Sequence, residues 1–265
     1  MGSESLHRDG PHRALQGRNA GLWAAPLLLT LCAIPFGWTG LAAPLIWLSL
    51  YVIETTHGWQ RGLGYLAAAV LMLTTAMGLL PGGTRIELMP PYTDAAGNSI
   101  YANFNTGKAV IAIALVAFML RLRQSIRVAD LPYILAAVTV PIVCGLLVFG
   151  ISGKFTLTIV VAAVINLLIV CVSEEGFFRW ILQRGAETAL QRWRWRWLAV
   201  PLVTAVFTFL HTGWAASAPA LALVTVAGLC YALLWHLRQN FWACVLAHWG
   251  VNLLHLFALP YPLPG

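Results

Sequence analysis

The sequence has few charged residues, and this shortage excludes most classes of protein. Only 9% of its 265 residues are Asp, Glu, Lys or Arg, whereas 60% are hydrophobic. A soluble domain carries roughly 25% charged residues, so a soluble globule, a disordered chain and a coiled coil are ruled out. Because most of the chain must be solvated by lipid, we predict an all-α fold, a polytopic membrane helix bundle.

Cysteine and acidic residues are also scarce. The five cysteines lie in apolar stretches without a CxxC pair, so we expect neither a disulfide nor a thiolate metal site. Sixteen basic residues against nine acidic ones give a net charge of +7. In a soluble protein this excess would suggest nucleic acid, but here the basic residues lie between apolar runs. Membrane topology accounts for them, and we expect no nucleic-acid partner.

Apolar runs of roughly 17–25 residues are typical of membrane-spanning helices. By that criterion the sequence predicts about nine transmembrane helices: 21–37, 41–55, 60–80, 108–122, 131–150, 155–183, 198–213, 219–237 and 241–258. The first two runs are short and close together, which favours a helical hairpin.

The distribution of basic residues predicts the orientation. With the N-terminus inside and the C-terminus outside, the outside segments hold only Arg85, Lys108 and Lys154. The inside segments hold Arg8, Arg13, Arg18, Arg61, Arg121, Arg123, Arg127, Arg184, Arg192, Arg194, Arg196 and Arg238. This bias follows the positive-inside rule. It predicts a multi-pass protein of the cell inner (plasma) membrane with a cytoplasmic tail, 1–20. An N-terminal transmembrane region, 21–150, then carries a long outside loop, 81–107.

Ionisable residues inside apolar runs are costly and are therefore candidates for function. Glu175 and Arg179 are four residues apart with the acid first, the favourable order for an ion pair on a helix. Glu174 points about 100° away from this pair and has no partner within the motif. Such a lone carboxylate suits a general base. The alternative is a helix end that holds both acids in water at the membrane surface.

Two later motifs add histidines to apolar helices. Phe207 and His211 share one helix face, as do His248 and Asn252, because each pair is four residues apart. A histidine and a carboxamide one turn apart can polarise a carbonyl, as oxyanion sites do. Either motif can instead make a structural hydrogen bond between helices. His255 lies on nearly the same face as His248.

The three motifs, EExxxR, FxxxH and HxxxN, occur in this order on successive apolar runs. Together they resemble the CPBP family, the CAAX-prenyl-protease and bacteriocin-processing glutamic intramembrane proteases, also called the ABI family. The resemblance covers about residues 155–258 and implies a catalytic transmembrane domain at 151–265. The matching residues are Glu174, Glu175, Arg179, Phe207, His211, His248 and Asn252.

The resemblance implies an intramembrane endopeptidase that hydrolyses a membrane-associated protein. In that family the first glutamate and the first histidine activate water, which carries over to Glu174 and His211. The later histidine and asparagine hold the oxyanion, a role that falls on His248 and Asn252. The other matching residues, Glu175, Arg179 and Phe207, are supporting.

The first 150 residues resemble, in layout, longer bacterial members that accompany exosortase-type sorting systems. This implies removal of a membrane-embedded C-terminal segment from a membrane-protein or lipid-anchored substrate. Two histidines and a glutamate can also hold zinc with one open position. The sequence lacks HExxH, however, and we expect a metal-free site without a cofactor.

Two other functions are compatible with the same residues. A carrier relays ions or protons through intramembrane acids and histidines, although no repeat between the two halves is visible. A non-catalytic scaffold or immunity protein of the same fold is the second alternative.

The depth of the motifs predicts the shape of the site. If the sixth run ended at Ser173, Glu174 and His211 would lie about 20 Å apart in depth. We therefore predict that this helix continues to about Gln183. Because His248 lies only about 10 Å from residue 241 along its helix, we expect the site to open toward the inside face.

Overall fold

In the computed structural model, residues 23–94, 97–213, 215, 217–261 and 263 are described, and 76% of these residues are helical. The N-terminal part has helices α1 (Ala24–Leu29), α2 (Ala33–Gly40), α3 (Ala42–Thr55), α4 (Gly58–Ala76) and α5 (Thr106–Leu122). The C-terminal part has α6 (Leu131–Phe149), α7 (Leu157–Trp193), α8 (Ala199–Leu210), α9 (Ala218–Arg238) and α10 (Phe241–Ala258). Strands β1 (Arg85–Thr93) and β2 (Ser99–Asn105) lie between α4 and α5.

The apolar helices support a membrane protein, but the count of nine spans is not confirmed. Among the described residues, four helices are long and apolar enough to cross a membrane: Val128–Phe149, α7, α9 and α10. A fifth is possible if Ala24–Gly40 and α3, which are bent by 106° relative to each other, form one broken span. By contrast, α5 has 17 residues and α8 has 12.

The segment 81–107, expected to be a loop, contains a β-hairpin, so the all-α prediction is wrong there. β1 and β2 are antiparallel, with Arg85 opposite Asn105 and Thr93 opposite Ser99. Register shifts surround Pro90 and Pro91, which cannot donate to a strand ladder. Every second residue of β2 faces inward: Ile100 and Ala102 are buried in a cluster with Ile159, Ala163 and Leu256.

Helix α7 runs through Gln183, as predicted, and continues to Trp193. Its first turn is capped by Thr156, whose hydroxyl oxygen accepts from the Ile159 N–H at 3.3 Å. Two π-helical stretches, Asn166–Cys171 and Gly176–Gln183, flank the α-helical residues Val172–Glu175. Such wide turns shift which residues face the core and often occur at functional sites.

Backbone contacts bring one set of helix ends together beside the hairpin. The Thr106 N–H at the start of α5 donates to the Thr84 carbonyl at 2.9 Å. The residues before α7 bind the end of α10, since the Ser152 N–H donates to the Ala258 carbonyl at 2.8 Å. We call this the hairpin end.

Ion pairs join the helices at the opposite end. Arg184 of α7 pairs with Glu54 of α3, and the Arg238 Nε donates to Asp130 at 2.7 Å. We call this the arginine end, because it contains Arg61, Arg121, Arg123, Arg127, Arg184, Arg192, Arg194, Arg196 and Arg238. The N-terminal helices therefore pack directly on the C-terminal ones. At the middle of α7, a Cβ on Gly176 would lie only 2.1 Å from the Leu115 side chain of α5.

Candidate active site

Of the two adjacent glutamates on helix α7, Glu175 points into the interior of the protein. The side chains of Glu175 and Arg179 are both 0% exposed, and Nε of Arg179 lies 3.1 Å from Oε2 of Glu175. The predicted ion pair is therefore confirmed. Arg179 also donates to Oε1 of Gln183 at 2.9 Å and to the Gly228 carbonyl at 3.4 Å. These partners satisfy a guanidinium that has no access to water.

Glu174 is directed into a cavity, where its two carboxylate oxygens have different neighbours. Oε1 lies 2.6 Å from Nζ of Lys108. Oε2 lies 3.7 Å from Nε2 of His211 and 3.9 Å from Nε2 of His248. The side chain retains 13% exposure, so the carboxylate borders the open space. Three separate helices thus place charged or titratable groups around one carboxylate.

The His211 ring is held at the C-terminal end of α8. Its Nδ1 lies 2.7 Å from the Phe207 carbonyl oxygen, and the ring stacks on Phe207 at a centroid distance of 4.2 Å. A carbonyl only accepts, so Nδ1 carries the proton in this contact. In the neutral ring, Nε2 is then an acceptor facing Glu174.

The His248 ring lies between the two glutamates. Nδ1 donates to Oε1 of Glu175 at 2.8 Å, and the ring stacks on Tyr231 at 4.8 Å. Because Nδ1 carries a proton, Nε2 donates toward the cavity only when the ring is positively charged.

Asn252 is oriented from the next turn of α10. Its Nδ2 donates to Oδ1 of Asn166 at 2.7 Å. The same Asn166 oxygen accepts from the Cys171 thiol at 3.2 Å. An amide nitrogen has two hydrogens: one bonds Asn166, and the other faces the Cys171 sulfur at 3.8 Å. Sulfur is a weak acceptor, so an oxygen of a ligand can replace it. Asn252 also lines the cavity.

The structure therefore brings together all the residues that the three motifs singled out. His255 lines the same cavity nearer the hairpin end, with Nε2 3.1 Å from the Pro260 carbonyl. Sequence reasoning missed Lys108, Asn166 and Tyr231. A lysine at the first turn of an apolar helix is indistinguishable in sequence from one that reaches lipid headgroups, and Lys108 precedes Glu174 by 66 residues.

The cavity has a volume of about 680 Å³. Arg85, Tyr101 and Asn103 of the hairpin line it together with His211 and Leu259. The cavity therefore lies on the side of loop 81–107, whereas we expected the site to open toward the inside face. That expectation considered only the depth of His248 and overlooked that α5 begins, and α8 ends, beside Glu174.

Residues that follow α10 line one side of the cavity. The Lys154 ammonium donates to the carbonyls of Leu259 and Ser152 and so ties this segment to the residues before α7. Burial lowers the pKa of Lys154, while the charge of Asp94 acts in the opposite direction. Leu259 and Leu263 are buried.

No group of three or more His, Cys, Asp or Glu side chains is arranged to hold a metal ion in the part of the chain that the structure describes. All five cysteines are free thiols. Cys171 is the one nearest the site, through its contact with Asn166.

Comparison with known proteins finds a similarity in the C-terminal part of the chain. Residues 156–254 match the family described as Type II CAAX prenyl endopeptidase Rce1-like. The match contains every signature residue and confirms the resemblance to CAAX-type intramembrane proteases of the CPBP family. No curated protein and no solved structure matches the chain. Lys108 and the hairpin lie outside the matched residues.

Proposed function

We propose that the chain is a glutamic intramembrane endopeptidase of the cell inner (plasma) membrane. Its substrate is a membrane-protein or lipid-anchored peptide, from which it removes a C-terminal segment. The observation that carries this proposal is the arrangement of Glu174, whose free carboxylate oxygen faces the imidazoles of His211 and His248 within 4 Å at a cavity. The family match at residues 156–254 supports the same reaction.

The first step is activation of water. Oε2 of Glu174 and Nε2 of His211 are 3.7 Å apart, too far for a good direct hydrogen bond. Both are acceptors when the ring is neutral, so one water can donate a hydrogen to each of them. As the water oxygen bonds to the scissile carbonyl carbon, its proton passes to this Glu174–His211 pair.

The second step is stabilisation of the negative charge on the carbonyl oxygen. His248 donates from Nε2 when both of its ring nitrogens carry a proton, and Asn252 donates the amide hydrogen that otherwise faces the Cys171 sulfur. Preorganised donors of this kind lower the barrier because they need no rearrangement during the reaction. Buried Glu175 and Arg179 hold His248 in place through the 2.8 Å contact.

The third step is breakage of the C–N bond. The proton held by the Glu174–His211 pair passes to the departing nitrogen, which leaves as an amine. The water oxygen remains on the carbonyl carbon with its second hydrogen, as the hydroxyl of a new carboxylic acid, which then loses that proton to solvent water. Atoms and charge balance without a covalent enzyme intermediate.

Lys108 supports the metal-free reaction over a zinc-dependent one. Its ammonium already neutralises Oε1 of Glu174 at 2.6 Å. A divalent cation bound to the same carboxylate would lie close to this positive charge and be repelled by it. The free oxygen, Oε2, is then the one that serves as a base.

The test compares the wild-type chain with Glu174→Gln in the cells that naturally express it. Mass spectrometry of membrane-protein C-termini should show a set of shortened termini that disappears in the variant at unchanged protein level. Glu87→Gln, an exposed glutamate on the hairpin, is the matched control and should leave these termini intact.

Unchanged termini in Glu174→Gln cells, with expression verified, would overturn the protease assignment. The remaining functions can then be separated. A scaffold would tolerate Glu174→Gln in every assay, whereas a carrier would show ion flux in liposomes that this substitution abolishes.

A further inference from the structure

The cavity lies in the half of the helix bundle that is nearest the hairpin end. On α10 its lining runs from His248 toward the C-terminus, through Asn252 and His255. On α9, which continues to Arg238, no residue beyond Tyr231 among those described lines it. The halves of α9 and α10 nearest the arginine end therefore do not line the cavity. The part of the cavity deepest in the bundle lies near Tyr231 and His248.

The positions of α5 and α8 also place the cavity at the hairpin end. Lys108 and Ile111 line the cavity from the first turns of α5, and Leu210 and His211 from the last turn of α8. Glu174 is therefore level with the ends of two helices although it lies midway along α7. Water and an extended peptide can reach it from the hairpin end without crossing the bundle.

Basic residues are distributed very unevenly between the two ends. In the described chain the hairpin end has Arg85, Lys108 and Lys154, and Lys108 is engaged with Glu174. The arginine end has the nine arginines named above. Short cytoplasmic segments of membrane proteins carry this excess of Arg and Lys, so the arginine end is the cytoplasmic one.

The cavity lies at the hairpin end, and the basic residues are concentrated at the arginine end. From these two observations we infer that the catalytic cavity opens on the non-cytoplasmic side of the membrane. This direction of the cavity, together with the proposed function on which the inference rests, defines the substrate class. The substrate is a membrane protein whose scissile bond has been translocated and lies at the outer membrane surface. A protein with its cleavable C-terminus in the cytoplasm cannot reach Glu174.

The lining of the cavity indicates the chemistry of that substrate segment. Its walls are apolar, with Ile142, Leu223 and Leu259 facing the space, and its rim has Tyr101 and Asn103 of the hairpin. An extended segment with apolar side chains buries them against these walls. The polar rim suits residues that continue into water. The inferred cleavage site is therefore an apolar-to-polar junction at the end of a transmembrane segment.

The orientation can be measured without any knowledge of the substrate. Single cysteines are introduced at Thr93 and Gly153 on the hairpin end, at Gly213 in the cavity, and at Ser125 on the arginine end. Thr93 and Ser125 are exposed, and Thr93→Cys and Ser125→Cys change little in size. A Cβ at Gly153 or Gly213 meets no atom within 4 Å. The wild-type chain supplies the background from its native cysteines.

A membrane-impermeant maleimide is applied to sealed membrane vesicles of both orientations. In right-side-out vesicles we expect Thr93→Cys, Gly153→Cys and Gly213→Cys to be labelled above the wild-type background. Ser125→Cys should not be labelled above that background. Inside-out vesicles should show the reverse pattern. Any other pattern overturns the inference, including labelling of Gly213→Cys from the same side as Ser125→Cys. Two hairpin-end positions guard against the failure of one variant to fold.

This outcome is independent of the catalytic test. If the labelling pattern holds but Glu174→Gln changes no C-terminus, the cavity faces outward and the protease assignment fails. If the C-termini change but the labelling pattern is reversed, the protease assignment stands and the inference of a translocated substrate is wrong. When both hold, the affected C-terminal segments should also be digested by protease added outside intact right-side-out vesicles.

Discussion

Nζ of Lys108 lies 2.6 Å from Oε1 of Glu174, and this contact joins two parts of the chain that have different relationships to known proteins. Glu174 belongs to the segment that matches the Rce1-like family, residues 156–254, whereas Lys108 lies outside it. The charge environment of the proposed base is therefore completed by the N-terminal part of the chain. The hairpin next to Lys108 forms the rim of the same cavity.

Replacing Lys108 with Met should impair hydrolysis by removing the cation that stabilises the Glu174 carboxylate. We expect the rate to fall by about 10²-fold, the lower end of what a general base contributes. The rate of cleavage of an identified substrate in proteoliposomes is the measurement. Lys108→Arg retains the charge and should recover part of the activity. If Lys108→Met and Lys108→Arg are produced in equal amounts and lose the same fraction of the cleavage rate, the effect is not one of charge.

Replacing Asn252 with Ala should slow the chemical step. If Asn252 donates to the oxyanion, kcat should drop by about 10²–10³-fold with little change in KM. Steady-state kinetics on one substrate distinguish the two parameters. Asn166→Ala removes only the group that orients Asn252 and should cause a smaller loss. A change confined to KM would assign Asn252 to ground-state binding instead.

Replacing Arg179 with Met should destabilise the protein, because it leaves Glu175 as a fully buried charge without its guanidinium partner. Breaking a buried ion pair costs about 3–5 kcal/mol. Thermal unfolding in detergent micelles should show a lower Tm. The double variant Arg179→Met/Glu175→Gln removes both charges and should recover part of the loss. A double variant less stable than the single one would show that the pair is not the source of the effect.

Replacing Gly107 with Ala should displace the first turn of α5. A Cβ at this position would lie 2.0 Å from the backbone oxygen of Thr75, which cannot move independently of α4. We expect a destabilisation of about 1–3 kcal/mol, together with reduced activity because Lys108 is the next residue. Gly62→Ala is the matched control, since its Cβ meets no atom within 4 Å. In a helix this change should be stabilising by about 0.5–1 kcal/mol. Thermal unfolding and cleavage assays check both variants, and a Gly107→Ala protein with wild-type Tm and activity would refute the clash.

Local features of the site were predictable, while features that depend on distant parts of the chain were not. The ion pair of Glu175 and Arg179 follows from helical periodicity alone. The continuation of α7 through Gln183 followed from the requirement that Glu174 and His211 meet. The hairpin was missed because Pro90, Pro91 and the adjacent register shifts interrupt the alternation that identifies strands.

The sequence by itself determined that lipid solvates most of this protein and which few polar residues lie within its apolar helices. Composition and the i, i+4 spacing of the motifs contain that information, because both are properties of single helices. Only the tertiary structure decided that Lys108 neutralises one oxygen of Glu174 and that the cavity lies in the half of the bundle nearest the hairpin. Both depend on the packing of helices far apart in the chain. Hydropathy gives no information about that packing, since a residue that faces lipid and one that faces another helix are equally apolar.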